Sequence, residues 1–467
     1  MLLRTILLIL TIGIASLDAG DFQVGTGKSD ITPQMGVPLD GAISQNGPVS
    51  EIHDAPHVRA LVFDDGETKA TIAIVDNTMI SASLIDEAKA LIETQTGIPG
   101  SNSIIAATHT HSTPRAMVGL LDDILFNEYL ASLPEGIAAA VNRANENLQP
   151  ASIGWGSLDV PEYVHNRRWF VEPSEQIANP FGEEGERVRM NPGRDGLIDP
   201  AGPVDPEVSL LSVQDASGSP LAVLGNYGVH YIGGTKRGSV SADYFGVFAE
   251  EIKSQLGGGD SFLGIMSNGT SGDVNAVDFS HPRVKYEPFQ NLTQVGTDLA
   301  SRAKPVVKGI QHKSDITIAT AEAVLKLKVR KPDAEKLAWA RETSSTIDAT
   351  KRLTRPQVYA RETIELEKYP DTLPVRIQAL RIGEIGIVGI PCEVFAETGL
   401  AIKAAKIFPN TMVIELANGY YGYLPTPQQH EWGGYETWPA RSSCLERDAE
   451  TYIRKAAIEL LEQLAAP

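Results

Sequence analysis

Two histidines separated by a single residue are the most informative feature of this sequence. His109 and His111 lie in the segment THTHS, which directly follows an apolar run. On an extended segment, residues two apart point to the same face, so both imidazoles can reach one metal ion. Alternatively, one can bind the ion while the other transfers a proton. Metallo-β-lactamase-like enzymes need Asp and His after such a pair, where this chain has Thr113 and Pro114. Two exposed loop histidines are the structural alternative.

Two further residues could complete a metal site. His230 stands in NYGVHYIGG, and Glu393 follows the apolar run that ends in IPCE. Either residue alone is more often a paired or solvated side chain. Together, two histidines, a carboxylate and one further group suit zinc with an exchangeable position for water. The two cysteines, Cys392 and Cys444, form no CxxC motif, so the ligands must be His, Asp, Glu or Tyr. Whether these cysteines form a disulfide stays open.

The elements that position these residues have an α/β pattern. Residues 57–63 and 69–75 are predicted to be strands joined by a turn at 64–66, and 103–107 is a further strand. Between them, Ser83 is predicted to cap a helix that runs to Thr94. Functional groups in such units collect where strands end. Further strands are predicted at 22–32, 221–224, 261–266 and 411–416. We therefore expect an α/β fold with mixed β-sheets flanked by helices.

The remaining segments carry less chemistry. Residues 172–203 are rich in Gly, Pro and charge and are predicted to be a long loop. Residues 374–390 form a hairpin pattern that turns at Gly383-Glu384, and 331–369 suggests two exposed helices. A last helix over 448–464 is expected to place Tyr452, among others, on its apolar face.

Composition limits the partners and the compartment. The chain has 467 residues and a formal net charge of −19, with no Lys/Arg cluster, which argues against nucleic acid as a partner. Residues 1–19 have the charged start, apolar run and small-residue end of a secretory signal peptide. No later segment approaches the ~18 consecutive apolar residues of a membrane span. We predict a single domain over 20–467, secreted or periplasmic.

Several motifs occur in the order found in neutral ceramidases. They are GTGKSDIT, ATHTHSTP, NRR, NYGVH, SGDVN, IPCEVFAETG and NGYYGYLPTP. The chain thus resembles the catalytic N-terminal domain of the neutral/alkaline non-lysosomal ceramidases over roughly 24–436. The resemblance implies a zinc-dependent hydrolase of the N-acyl amide bond of ceramide or a related lipid. It implies zinc ligation by His109, His230, Glu393 and Tyr423, proton transfer by His111, and carbonyl stabilisation by Arg167 and Tyr435. Residues alone would favour an aromatic packing cluster for Tyr423.

The chain departs from the ceramidase pattern at one motif. The family hexapeptide GDVSPN has a serine where this sequence has Asn275. An amide cannot serve as a nucleophile, so Asn275 is interpreted as a substrate-binding residue that changes recognition of the polar head. The family's immunoglobulin-like C-terminal domain is not expected here. We expect a small-molecule or lipid substrate, and transient contact with a membrane surface is compatible with the latter. The alternatives are a zinc hydrolase acting on another ester, amide or glycan, and a non-catalytic binding protein.

Overall fold

The largest sheet of the protein is mixed and has eight strands. The computed structural model describes residues 22–39, 46–348 and 350–466. In spatial order the strands are Leu263–Asn268, Pro220–Tyr227, Glu207–Asp215, Gln149–Asp159, Gln23–Asp30, His57–Asp64, Lys69–Val75 and Ser103–Ala107. The first two strands pair in parallel, as do the last two, and the other neighbours are antiparallel. The predicted fold class, an α/β fold with mixed sheets flanked by helices, is confirmed.

Smaller sheets complete the β structure. A four-stranded sheet has the order Ile318–Lys328, Thr372–Ile382, Ile385–Gly389 and Asn410–Ile414, and its last pair is parallel. A three-stranded sheet contains Val188–Met190, Arg168–Val171 and Leu197–Pro200. Four ribbons pair Pro38–Leu39 with Gly47–Pro48, Glu51–Ile52 with Ser239–Val240, His165–Asn166 with Val274–Asn275, and Glu393–Val394 with Tyr423–Leu424.

The helices within the described ranges cover the sheets. They are α1 Ala82–Thr96, α2 Ile124–Glu146, α3 Asp243–Leu256, α4 Gln290–Gly309, α5 Ala334–Ser345, α6 Arg355–Glu367, α7 Ala396–Ala404, α8 Pro427–Trp432 and α9 Ala449–Ala465. Short 3₁₀ turns occupy Gly100–Asn102, Pro161–Tyr163, Pro173–Glu175 and Tyr435–Thr437. None of the helices in these ranges has both the length and the apolar character that a membrane crossing requires.

The core is layered because strand residues alternate in direction. Ala60 and Val62 pack with helices α1 and α2, whereas Leu61 between them packs with the four-stranded sheet. The opposite face of that second sheet is covered by α9, through residues such as Ile453. Strands buried on both faces become nearly continuous apolar runs, which is why 69–75 and 103–107 were predictable from sequence.

Most predicted elements are confirmed, and four details are wrong. Helix α1 is preceded by Ser81, which makes no side-chain cap bond, so Ser83 is not its cap. The segment 172–203 contains two strands of the three-stranded sheet and is not a structureless loop. Tyr452 is 45% exposed, because the buried face of α9 passes through Ile453 instead. Helices α2, α3, α4, α7 and α8 were not predicted at all. The predicted signal peptide, 1–19, lies outside the described residues.

Candidate metal centre

Three imidazoles converge where the large sheet ends. His109 follows strand Ser103–Ala107, and His230 follows strand Pro220–Tyr227. The Nε2 atom of His109 lies 3.1 Å from that of His230 and 3.2 Å from that of His111. One ring nitrogen from each of the three residues lies within 4.8 Å of the others, a spacing that a single metal ion can bridge. His109 has a φ of 73°, so the chain turns sharply here and the side chain leaves the strand direction.

Backbone carbonyls set the protonation of two of these rings. His109 Nδ1 lies 2.6 Å from the carbonyl oxygen of Thr78, and His230 Nδ1 lies 3.1 Å from that of Ser271. A carbonyl oxygen can only accept, so we assign the proton of each ring to Nδ1. Each Nε2 lone pair then points into the cluster. Two lone pairs 3.1 Å apart repel each other unless a metal ion or a proton lies between them, and this orientation is the usual one for metal-binding histidines.

Glu393 supplies a carboxylate to the same point. Its Oε2 atom lies 3.4 Å from His109 Nε2 and 3.8 Å from His230 Nε2, and it is buried without a hydrogen-bond partner. Its other oxygen accepts a 2.8 Å bond from the Tyr420 hydroxyl. Burial alone would raise the pKa of Glu393, but His109 when its ring is protonated, and next Arg167 and the Tyr420 hydroxyl, lower it. An ionised, unpartnered oxygen beside two nitrogen lone pairs fits a divalent cation.

His111 is held differently from the other two histidines. Its Nδ1 atom is buried and has no hydrogen-bond partner. Its ring instead stacks on Tyr231, with centroids 3.8 Å apart and planes 12° from parallel. Burial, and next the neighbouring His109, lower the pKa of His111 well below its usual value, which favours the neutral imidazole. Sequence reasoning missed Tyr231, although it directly follows His230.

The predicted carbonyl-stabilising residues, Arg167 and Tyr435, lie beside this cluster together with Tyr423. Arg167 Nη1 lies 3.3 Å from His230 Nε2, and the guanidinium lies 5.4 Å from the ring centroid of Tyr423. The rings of Tyr423 and Tyr435 are 5.7 Å apart in an edge arrangement. Tyr423 is also the pairing partner of Glu393 in their two-stranded ribbon. The structure therefore brings these predicted residues to one side of the histidine cluster.

Glu436 anchors the cationic side of the site and was missed by the sequence analysis. Its carboxylate accepts from Arg167 Nε at 3.1 Å and from Arg168 Nη1 at 2.5 Å. All three side chains are buried. Arg167 also donates to the carbonyl oxygen of Gly272 at 2.7 Å. These bonds hold the Arg167 guanidinium in one orientation towards His230.

Asn275 occupies the rim rather than the centre. Its side chain is half-buried and donates a 2.9 Å bond to Asn191 Oδ1. The backbone of Asn191 in turn donates to the carbonyl oxygen of Arg167 at 2.8 Å. Asn275 therefore bonds to the segment that was expected to be a loop, and that segment bonds in turn to the backbone of Arg167, which lies between two short strands.

Comparison with known proteins identifies the family. The family model described as "Neutral/alkaline non-lysosomal ceramidase, N-terminal" matches residues 22–281. The chain belongs to this ceramidase family. Neutral ceramidase A of Dictyostelium discoideum is 24% identical over 283 residues, which cover 55% of this chain and 36% of that protein. Neutral ceramidase of Pseudomonas aeruginosa is 26% identical over 240 residues, covering 49% of this chain and 33% of that protein. The chain thus matches about a third of the length of these two relatives.

Other relatives match over a longer stretch. Neutral ceramidase of Mycobacterium tuberculosis is 24% identical over 89% of this chain and 73% of that protein. The crystal structure of the Pseudomonas aeruginosa ceramidase superposes with a TM-score of 0.68 at 17% identity, covering 95% of this chain and 74% of that one. This last likeness shows that the ceramidase fold extends beyond the residues matched by the family model, through the four-stranded sheet and the ribbon that contains Glu393.

Proposed function

We propose that this ceramidase-family protein is a zinc-dependent hydrolase that cleaves the N-acyl amide bond of ceramide or a related N-acyl lipid. One observation carries the proposal. His109, His230 and Glu393 direct three buried acceptor atoms at one point, within 3.1 to 3.8 Å of one another. Without a cation, this arrangement would leave the buried Oε2 atom of Glu393 without a partner.

The donor set fits zinc. His109, His230 and Glu393 would hold the ion, with Tyr423 as the fourth ligand that the family resemblance implies. When bound, zinc lowers the pKa of a coordinated water from 15.7 to about 7 and so supplies a hydroxide at neutral pH. The residues of this chain then have separate tasks. Neutral His111 accepts a proton and passes it to the leaving amine, while Arg167 and the Tyr435 hydroxyl hydrogen-bond to the carbonyl oxygen as it gains negative charge.

His111 is assigned to proton transfer rather than to metal binding on the basis of its surroundings. Ligating histidines normally donate the second ring N–H to an acceptor, as His109 and His230 do. His111 lacks such an acceptor and is held by stacking on Tyr231. Because His111 Nδ1 has no hydrogen-bond partner, a proton can be gained or lost there without breaking a hydrogen bond.

The test separates metal binding from turnover. We expect the wild-type protein to bind one equivalent of zinc and to release fatty acid from a short-chain N-acyl-sphingosine in a chelator-sensitive reaction. His111→Ala should keep the zinc and lose roughly 10²–10⁴-fold in kcat. His109→Ala should lose both, whereas His281→Ala, at a side chain that is 75% exposed, should change neither. Loss of zinc in His111→Ala would make His111 a ligand, and a zinc-loaded wild type without amidase activity would reject the proposed reaction.

A different substrate on the same zinc site is the second candidate. It is favoured by Asn275, which replaces the family serine and is bonded to Asn191 at the rim. A panel of short N-acyl, ester and glycan substrates distinguishes the two candidates. Turnover of one of these without turnover of ceramide would support the second. A non-catalytic binding protein would instead show ligand affinity that is unchanged by His111→Ala.

Export and domain organisation are part of the proposal. The apolar start of the chain supports cleavage after residue 19 and a secreted or periplasmic protein with one domain over 20–467. Substrate delivery from a lipid surface would then occur outside the cytoplasm. N-terminal sequencing of the protein recovered from the exported fraction tests this, and an intact N-terminus in the cell pellet would contradict it.

A further inference from the structure

A buried carboxylate lies directly behind the candidate metal centre. Glu415 follows strand Asn410–Ile414 and has no exposed surface. Its Oε1 atom accepts a 2.5 Å bond from the Ser271 hydroxyl. Its Oε2 atom accepts from the backbone N–H of Val394 at 2.7 Å and from that of Ser271 at 3.2 Å. Three donors from two different loops therefore converge on one side chain.

One of these segments contains Glu393, a proposed zinc ligand, next to Val394. The other contains Ser271, which lies beside His230, another proposed ligand. The carbonyl oxygen and the hydroxyl of Ser271 lie 3.1 and 3.3 Å from His230 Nδ1. Val394 is the neighbour of Glu393, and its carbonyl oxygen accepts a 2.8 Å bond from the N–H of Gly272. Glu415 thus fixes the loop that orients His230 and the turn that presents Glu393, although it contacts neither ligand through a hydrogen bond of its own.

We propose that Glu415 is a positioning residue that pre-organises His230 and Glu393 for the metal ion. The inference rests on the proposed zinc function and extends it to a residue outside the ligand set. Burying a carboxylate at this depth costs considerable free energy unless its oxygens are hydrogen-bonded. Here all three bonds serve the two ligand-bearing loops. Partners of this kind typically contribute 10- to 100-fold to metal affinity.

Glu415→Gln is the direct test. Glutamine keeps the shape, but its NH₂ group must face a donor, so at least one of the three bonds is reversed or lost. We expect zinc affinity, measured by competition with a chromogenic chelator, to fall ~10- to 100-fold. The midpoint temperature of thermal unfolding, measured on the zinc-free protein, should change no more in Glu415→Gln than in the control Glu450→Gln. Glu450 is also buried, but it bonds to Thr398 and Arg454 on helices α7 and α9.

A second variant keeps the inference testable if Glu415→Gln does not fold. Ser271→Ala removes the hydroxyl between Glu415 and His230 but leaves the carbonyl oxygen in place, and it should weaken zinc binding by about 10-fold. Equal zinc affinity in the wild type, Ser271→Ala and any folded Glu415→Gln would overturn the positioning role while leaving the zinc enzyme intact. Failure of the wild type itself to bind zinc would instead reject the proposed function on which the inference rests.

Discussion

The ion-pair network beneath Arg167 offers the sharpest test of how the site is held. Glu436 is completely buried and bridges Arg167 and Arg168, whose side chains are 6% and 0% exposed. Glu436→Gln would keep the shape and leave two buried guanidinium groups without their counter-charge. Removing one partner of a buried pair typically costs ~3–5 kcal/mol, because the remaining charge is desolvated and unpaired. We expect a loss of this size in the free energy of unfolding, together with a lower kcat through misplaced Arg167.

A surface pair provides the matched control. Lys313 and Glu384 also form a 2.8 Å ion pair, but their side chains are 60% and 66% exposed. Pairs of this kind are worth ~0.2–1 kcal/mol, so Glu384→Gln should have little effect. Urea unfolding of both variants, followed by circular dichroism, gives the comparison. If Glu436→Gln unfolds at the same urea concentration as Glu384→Gln, the burial argument is wrong. An unchanged kcat would show that the position of Arg167 does not depend on Glu436.

Three further predictions concern separate parts of the molecule. Burial, and next Arg376, lower the pKa of Lys89 from 10.5 to about 7, so between these pH values the unfolded chain binds a proton that the folded chain lacks. Lys89 should therefore add at most ~1.4 kcal/mol of stability per pH unit as the pH rises through this window, and the difference in urea stability between the wild type and Lys89→Met should show this dependence. Tyr231→Leu should lower kcat roughly 2- to 10-fold at unchanged zinc content, with Tyr231→Phe close to wild type, because stacking orients His111. Asn275→Ser should alter the ratio of kcat/KM values between substrates with different polar heads and leave zinc content unchanged; equal ratios would remove Asn275 from recognition.

The sequence pattern within a segment was sufficient to predict those strands and helices whose type depends on that segment alone. Lys69–Val75 and Ser103–Ala107 are short apolar runs with polar ends, and both were predicted with their observed bounds. Helix α2 was missed, and it contains Pro134, a residue that normally argues against a helix interior. The strands Val188–Met190 and Leu197–Pro200 are three and four residues long and gain their order from pairing with Arg168–Val171. No pattern within such a segment reveals its partner.

The same distinction applies to the site, where some residues were predictable from their own segment and others were not. His109 was predictable because paired histidines at a strand end are uncommon, and His230 followed from its similar position. Arg167, Tyr423 and Tyr435 entered only through the family resemblance, since nothing in their own segments indicates chemistry. Glu436 was not identified by either route, because its role depends on two arginines that precede it by 269 and 268 residues.

The positions of the proposed ligands follow from the parallel strand pairs of the two large sheets. Three such pairs occur there, and each is followed at its carboxyl end by one of the four proposed ligands, Tyr423 being the exception. Ser103–Ala107 leads to His109, Pro220–Tyr227 leads to His230, and Ile385–Gly389 leads to Glu393. Parallel neighbours end at the same edge of a sheet, so each pair delivers two loops to one place.

The second strand of each pair carries the group that orients the ligand. Thr78, after Lys69–Val75, accepts from His109, and Ser271, after Leu263–Asn268, accepts from His230. Glu415, after Asn410–Ile414, binds the backbone N–H next to Glu393. Ligand and orienting group are therefore fixed by the register of adjacent strands rather than by loop conformation alone. This explains how three of the proposed ligands, separated by long stretches of sequence, can be held within a few ångströms of one another. It also explains why substitution of Glu415, which acts through its side chain and not through a main-chain carbonyl, should affect metal affinity before it affects the fold.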